Sequence, residues 1–242
     1  MSYETVFQSA QDGDPDAQVA MGYLFFEGNG VVQDRREAAR WFGLAADQGN
    51  AEAMCNLGHM RAHGTGMRLD LEKAMELYTR SAELGYPRAM FNLGVMYTDV
   101  KGIEQDWEKA YYWYGKAAEA GNVMALYRVA VMDEEGRGVP VNLRKASEAY
   151  ERCFDAGYPK AGFRLAMMHL EGRGFQRNPD RASKIMARAA EMGSEDAMCA
   201  LGKMSLTGEG MVKSENNARK WFTKAANRGN EEAAAILKEL KR

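Results

Sequence analysis

The sequence has no long apolar run, only three cysteines and five prolines, and no block of like charge. Each shortage excludes something. Nothing approaches the ~20 consecutive apolar residues that a helix needs to cross a bilayer, so no membrane span is expected. Three cysteines cannot build a disulfide framework. Cys55 and Cys199 hold the same point of a repeat four repeats apart, too distant to bridge, and Cys153 replaces a small core residue on its helix. Three free thiols in a reducing, cytoplasmic protein are the expectation. The formal net charge is −2 and Lys and Arg are dispersed, which leaves no basic face for a polyanion and no nucleic-acid partner. The stretch Met1-Ser2-Tyr3-Glu4 lacks the basic segment followed by an apolar one that marks a signal peptide.

Motifs of catalysis are missing too. No S-x-x-K, K-T-G or S-D-N occurs, so a β-lactamase-like hydrolase has no nucleophile. No G-x-x-x-x-G-K-[ST] is present to hold a phosphate. Cys55, His59 and His63 follow one stripe of a helix. The first and last are about 12 Å apart at 1.5 Å per residue, so one tetrahedral ion does not hold all three. No catalytic residue, cofactor or metal is assigned.

Glycine, by contrast, is abundant and regular. It stands at 13, 49, 85, 121, 157, 193 and 229, every interval being 36, and an alanine follows four residues after each. A fixed period of this size means a solenoid. The best-formed unit runs from Asp106 to Asn122. Asp106 suits an N-cap, Ala110, Trp113, Tyr114, Ala117 and Ala118 share one helical face, and Gly121 stops the helix. The cap position recurs as Asp34, Asp70, Asn142, Asn178 and Ser214. Pro15, Pro87 and Pro159 suit the first position of the other helix of the repeat, where the missing N–H costs nothing. G-x-G loops join the two helices except in repeat three, where Val100 replaces the first glycine and a different loop shape is expected. Gly94 becomes Ala130 and Ala166 in repeats four and five, which should set those helices slightly apart.

The fold class expected is therefore all-α: an α/α solenoid of antiparallel helix pairs in 36-residue repeats, with thirteen or fourteen helices and no strands. Residues 1–12 form an unpaired helix, 13–228 six repeats, and 229–242 a capping helix.

Ala89, Leu93-Gly94, Tyr97, Gly102, Ile103, Asp106, Lys109-Ala110, Trp113-Tyr114, Lys116-Ala117-Ala118 and Gly121 match the pattern of Sel1-like repeats, relatives of the tetratricopeptide repeat. The chain resembles that family over nearly its whole length and in phase six times. The resemblance implies a right-handed superhelix with the first helix of each repeat on the concave side. It also implies an adaptor or scaffold for protein complexes rather than an enzyme. A dedicated inhibitor or immunity-type partner of one target is the alternative within that class.

The binding face is read from helix geometry. With Ala89, Met90, Leu93, Gly94 and Tyr97 in the core, Phe91 and Val95 point well away from it. The same two positions give Tyr23 in repeat one, Tyr127 and Val131 in repeat four, and Phe163 and Met167 in repeat five. These seven are the candidate partner-binding residues, for a protein or peptide held by a monomer. Glu134, Glu135 and Glu171 are expected on one rim, with Arg88, Arg128, Lys160 and Arg164 nearby.

Overall fold

The computed structural model describes residues 2–100 and 102–240. Among the described residues there are fourteen α-helices and no strand. The chain divides into two compact units between Asn122 and Val123. The first holds α1 (Tyr3–Gln11), α2 (Pro15–Glu27), α3 (Arg35–Asp47), α4 (Ala51–His63), α5 (Leu71–Glu83), α6 (Pro87–Asp99) and α7 (Trp107–Glu119). The second holds α8 (Val123–Glu135), α9 (Leu143–Asp155), α10 (Pro159–Glu171), α11 (Pro179–Glu191), α12 (Glu195–Thr207), α13 (Glu215–Ala226) and α14 (Glu231–Glu239). Within each unit every helix packs on the next in sequence. The helices α2, α4, α6, α8, α10 and α12 open the repeats and are called A helices, and their successors are B helices.

Side-chain caps set the starts. Asp34, Asp70, Asp106, Asn142, Asn178 and Ser214 each accept a bond from a backbone N–H of the first turn of a B helix. Pro15, Pro87 and Pro159 begin α2, α6 and α10. A left-handed glycine ends α2, α4, α10 and α12. After α6 the cap is Val100, at φ −106° and ψ 113°, so this loop leaves in the extended direction. It still closes like the others. The Asp106 N–H reaches back to the Tyr97 carbonyl at 2.9 Å, and five other repeats make the equivalent bond. Helix phase is thereby kept although the path differs.

Packing between A and B helices rests on a ring over a missing side chain. A Cβ added at Gly22, Gly94 or Gly202 would lie 2.5 Å from the ring of Phe42, Tyr114 or Phe222. Repeat five replaces both partners, with buried Ala166 and a flexible Met186. Repeat four keeps the ring of Tyr150 beside Ala130, and α8 with α9 makes the least extensive contact of the six pairs. Between α9 and α10 the bulk is exchanged. Phe154 stands where other repeats have alanine, and Gly162, under its ring, where others have Met, Leu or Gln. Volume is conserved although identity is not. At the first unit's start, Phe7 of α1 lies edge-on to Trp41 with ring centres 6.1 Å apart. At the far end Ala233 of α14 is fully buried.

Candidate partner-binding face

The A helices carry the candidate residues because their B-facing positions are filled by small residues, which leaves the larger side chains at other angles of the helix. All seven are half-buried rather than exposed. The outward direction expected for this helical position is softened for a physical reason: neighbouring helices stand close enough for their side chains to cover one another. At the same repeat position Val19, Cys55 and Cys199 are buried outright.

In the first unit, Tyr23 of α2 lies edge-on to Phe42 at 5.4 Å. Its hydroxyl donates to Glu52 Oε1 at 2.7 Å and accepts from Asn56 Nδ2 at 2.9 Å. Arg88 Nη1 donates to Asn56 Oδ1 at 3.4 Å, so one chain of hydrogen bonds crosses α2, α4 and α6. Burial, then the bond to Glu52, raises the Tyr23 phenol above its usual range. A cavity of about 190 Å³ opens beside it, lined by Phe26, Met60 and His59 among others. The Phe91 ring lies 5.5 Å from that of Tyr114, and Val95 is on the same helix.

In the second unit, the ring of Tyr127 on α8 stands 5.0 Å from Tyr158 and 5.7 Å from Tyr150. Phe163 and Met167 of α10 form one wall of a cavity of about 270 Å³. Ala200 and Met204 of α12 face them, and Asp196, Lys203, Glu209 and Glu232 stand around the opening. Lys203 Nζ pairs with Glu232 Oε1 at 2.7 Å. Tyr127, Val131, Phe163 and Met167 thus share this unit, while Tyr23, Phe91 and Val95 belong to the first.

One rim assignment is corrected. Glu134 is buried, not at an edge. Its Oε2 accepts from the Tyr150 hydroxyl at 2.5 Å, its Oε1 from Arg173 Nη1 at 2.7 Å, and Arg164 Nε lies 3.8 Å away. Glu135 remains exposed and pairs with Arg164 at 3.0 Å. Burial, then the bond to Glu134, keeps the Tyr150 phenol protonated far above its usual range. A signal for this network was present in the repeat alignment: the column holding Glu134 otherwise reads Phe26, Ala62, Thr98, Leu170 and Leu206. A carboxylate in that column demands partners.

The thiols are not poised for chemistry. Cys55, Cys153 and Cys199 are free and buried, and burial pushes each up to about 11. Cys153 Sγ donates to the Val123 carbonyl at 3.6 Å, where two repeats earlier Ser81 Oγ donates to the Ala51 carbonyl at 2.6 Å. It substitutes for a structural hydroxyl. His59 and His63 have ring centres 4.1 Å apart, and His63 Nδ1 lies 2.9 Å from the His59 carbonyl. Among the described residues no three His, Cys, Asp or Glu side chains converge to hold a metal, and no helix is long and apolar enough to cross a membrane.

The family profile described as "Sel1 repeat" matches residues 15–50, 51–86, 87–122, 123–148, 159–194 and 195–230. A search of curated proteins finds no match. Among solved structures, the chain is similar to a protective antigen of uropathogenic Escherichia coli displaying an SLR fold, at 26% identity and TM-score 0.80. That match covers 99% of this chain but 59% of the antigen, so the chain spans well under two thirds of its length. A Sel1 repeat protein from Oxalobacter formigenes is similar at 27% identity and TM-score 0.78, over 93% of this chain and 88% of the other. An immunity protein from Pseudomonas aeruginosa shares the fold at 17% identity and TM-score 0.52, over 88% and 81%.

Proposed function

The chain belongs to the Sel1 repeat family, and from that premise we propose that it is a protein-binding scaffold or adaptor that receives partner segments on the faces of its A helices. The observation that carries this reading is the apolar cavity in the second unit, walled by Phe163 and Met167 and ringed by charges of both signs. Apolar side chains around a concavity supply the anchoring energy of an interface, and charges at its margin supply orientation. Tyr127 and Val131 extend the face in that unit, and Tyr23, Phe91 and Val95 serve in the first. The protein acts as a monomer and not as an enzyme. Thiols held near 11 are not nucleophiles at neutral pH, which supports this. Three free thiols suit the reducing cytoplasm.

The experiment is to recover partners from native lysate and compare Phe163→Ala with Met167→Ala combined against wild type. Affinity and melting temperature are measured together. Loss of binding by roughly tenfold or more with a nearly unchanged melt supports the reading. Unchanged binding moves the partner elsewhere, and a collapsed melt makes these side chains core. An inhibitor or immunity-type protein would use the same faces. One partner recovered in stoichiometric amount favours that role, and several favour the scaffold.

A further inference from the structure

Charge along the A-helix face of the second unit is not balanced. Its acids near α8 and α10 are already taken. Glu134 holds Arg173 and Arg164, Glu135 holds Arg164 and Arg137, and Glu171 lies 3.9 Å from Arg173. Arg128 of α8 and Lys160 of α10 are exposed and form no salt bridge among the described residues. The repeat places them together. In the first unit the equivalent residues, Asn56 of α4 and Arg88 of α6, approach to 3.4 Å. Arg128 and Lys160 are the same two positions two repeats on. The register carries over: Asn92 reaches Cys55 in the first unit, and its counterpart Arg164 faces Tyr127 in the second. By this register two exposed cations, outside any salt bridge among the described residues, hold neighbouring positions on α8 and α10, the helices that carry Tyr127 and Phe163. One helix further the same position is Asp196, and the sign reverses at the mouth of the apolar cavity.

We propose that Arg128 and Lys160 receive carboxylates of an acidic linear segment whose next large apolar residue enters the cavity behind Phe163 and Met167. This rests on the reading that partners bind the A-helix face, and adds to it the chemistry and spacing of the partner. Adjacent helices are about 8–10 Å apart. An extended chain advances about 3.3 Å per residue, so the acid and the apolar residue stand about three positions apart. In a helical ligand, advancing about 1.5 Å per residue, they stand about six apart, nearly two turns. Two like charges held near each other without a counter-ion repel, and a carboxylate between them relieves that repulsion. The term weakens with salt because both groups are at the surface.

The test uses the whole protein and a random peptide display library. Enriched peptides are labelled and titrated by fluorescence anisotropy against wild type, against Arg128→Gln with Lys160→Gln, and against Phe163→Ala with Met167→Ala. The expected peptides carry Asp or Glu about three or six residues from Leu, Phe, Met or Trp. The charge variant should bind roughly tenfold or more weakly at low salt, lose most of its salt dependence, and melt as wild type does. Binding equal to wild type in the charge variant overturns the proposal. If the cavity variant still loses those peptides, the A-helix reading stands without the acidic motif. If neither variant loses them, both readings fall. A library that yields no enriched peptide, or peptides without acids, overturns the proposal as well.

Discussion

Two helical glycines of repeat three should respond to the same substitution with opposite signs. Gly115, in α7, has no heavy atom within 4 Å of where a Cβ would stand. Alanine there gains helix propensity, about 1 kcal/mol, and meets nothing. Gly94, in α6, gains the same propensity. Its new Cβ, however, would lie 2.5 Å from two ring atoms of Tyr114 and 2.8 Å from a third. The ring cannot simply retreat, because it is buried at 2% exposure and its hydroxyl lies 3.4 Å from Thr98 Oγ1. Overpacking of this kind costs about 1–3 kcal/mol, or more where the backbone must move. The net for Gly94→Ala is thus a loss of up to about 2 kcal/mol, and the two variants should differ by roughly 1–3 kcal/mol. Repeat four, with Ala130 beside Tyr150, marks the route of relief: α8 and α9 make less contact than the pairs that keep the glycine. Repeat five marks another, so Gly94→Ala combined with Tyr114→Met should recover part of the loss, as Ala166 with Met186 does natively. Urea unfolding followed by circular dichroism at 222 nm reads all four proteins. For a chain of this length about 1 kcal/mol moves the melt by about 2–4 °C, so thermal scans also resolve them. A Gly94→Ala protein as stable as Gly115→Ala would refute the ring-over-glycine account.

Other outcomes follow from the polar interior and the thiols. Glu134→Leu should destabilise by about 1–3 kcal/mol, because it strands the buried Tyr150 hydroxyl. Adding Tyr150→Phe should restore most of it, since repeat six already pairs Leu206 with Phe222; a double-mutant cycle in urea checks this. Thiol titration of the unfolded, unreduced protein should find three reactive groups, and the native protein should react far more slowly, because burial holds each thiol near 11. His169 is buried, stacked on Phe175 at 4.2 Å, and burial, then Arg181, lowers it below the ordinary 6.5. The folded state therefore binds this proton less well than the unfolded one. Its stability contribution is complete above 6.5 and is lost as pH falls through the lower folded value. His169→Phe should flatten the decline in melting temperature over that acidic window.

Helix starts, helix ends and the phase of the array were legible in the residues, because each depends on near neighbours. A capping oxygen reaches two or three residues along, and a glycine turns the chain where it stands. Val100 was legible as a change of loop shape for the same reason, since no left-handed residue stands there, and the structure adds that the loop leaves α6 in the extended direction. Candidate residues of the binding face were readable only as positions on a helix. Helical angle separates Phe91 from Leu93 and does not say how near the next helix comes, and the half-buried state of all seven follows from that distance.

The remaining features belong to distance in three dimensions. Glu134 looked like a surface acid on a charged rim, and it lies inside because Tyr150 of α9, Arg164 of α10 and Arg173 of the loop after α10 arrive to satisfy it. Phe154 and Gly162 each look like a departure from the repeat, and together they conserve volume. Local chemistry, acting over a few residues, sufficed for the order and length of the helices. The interior polar network and the cavity behind Phe163 arise from side chains brought together from different helices and loops, the partners of Glu134 lying 16 to 39 residues from it, and burial and charge balance are sums over such neighbours.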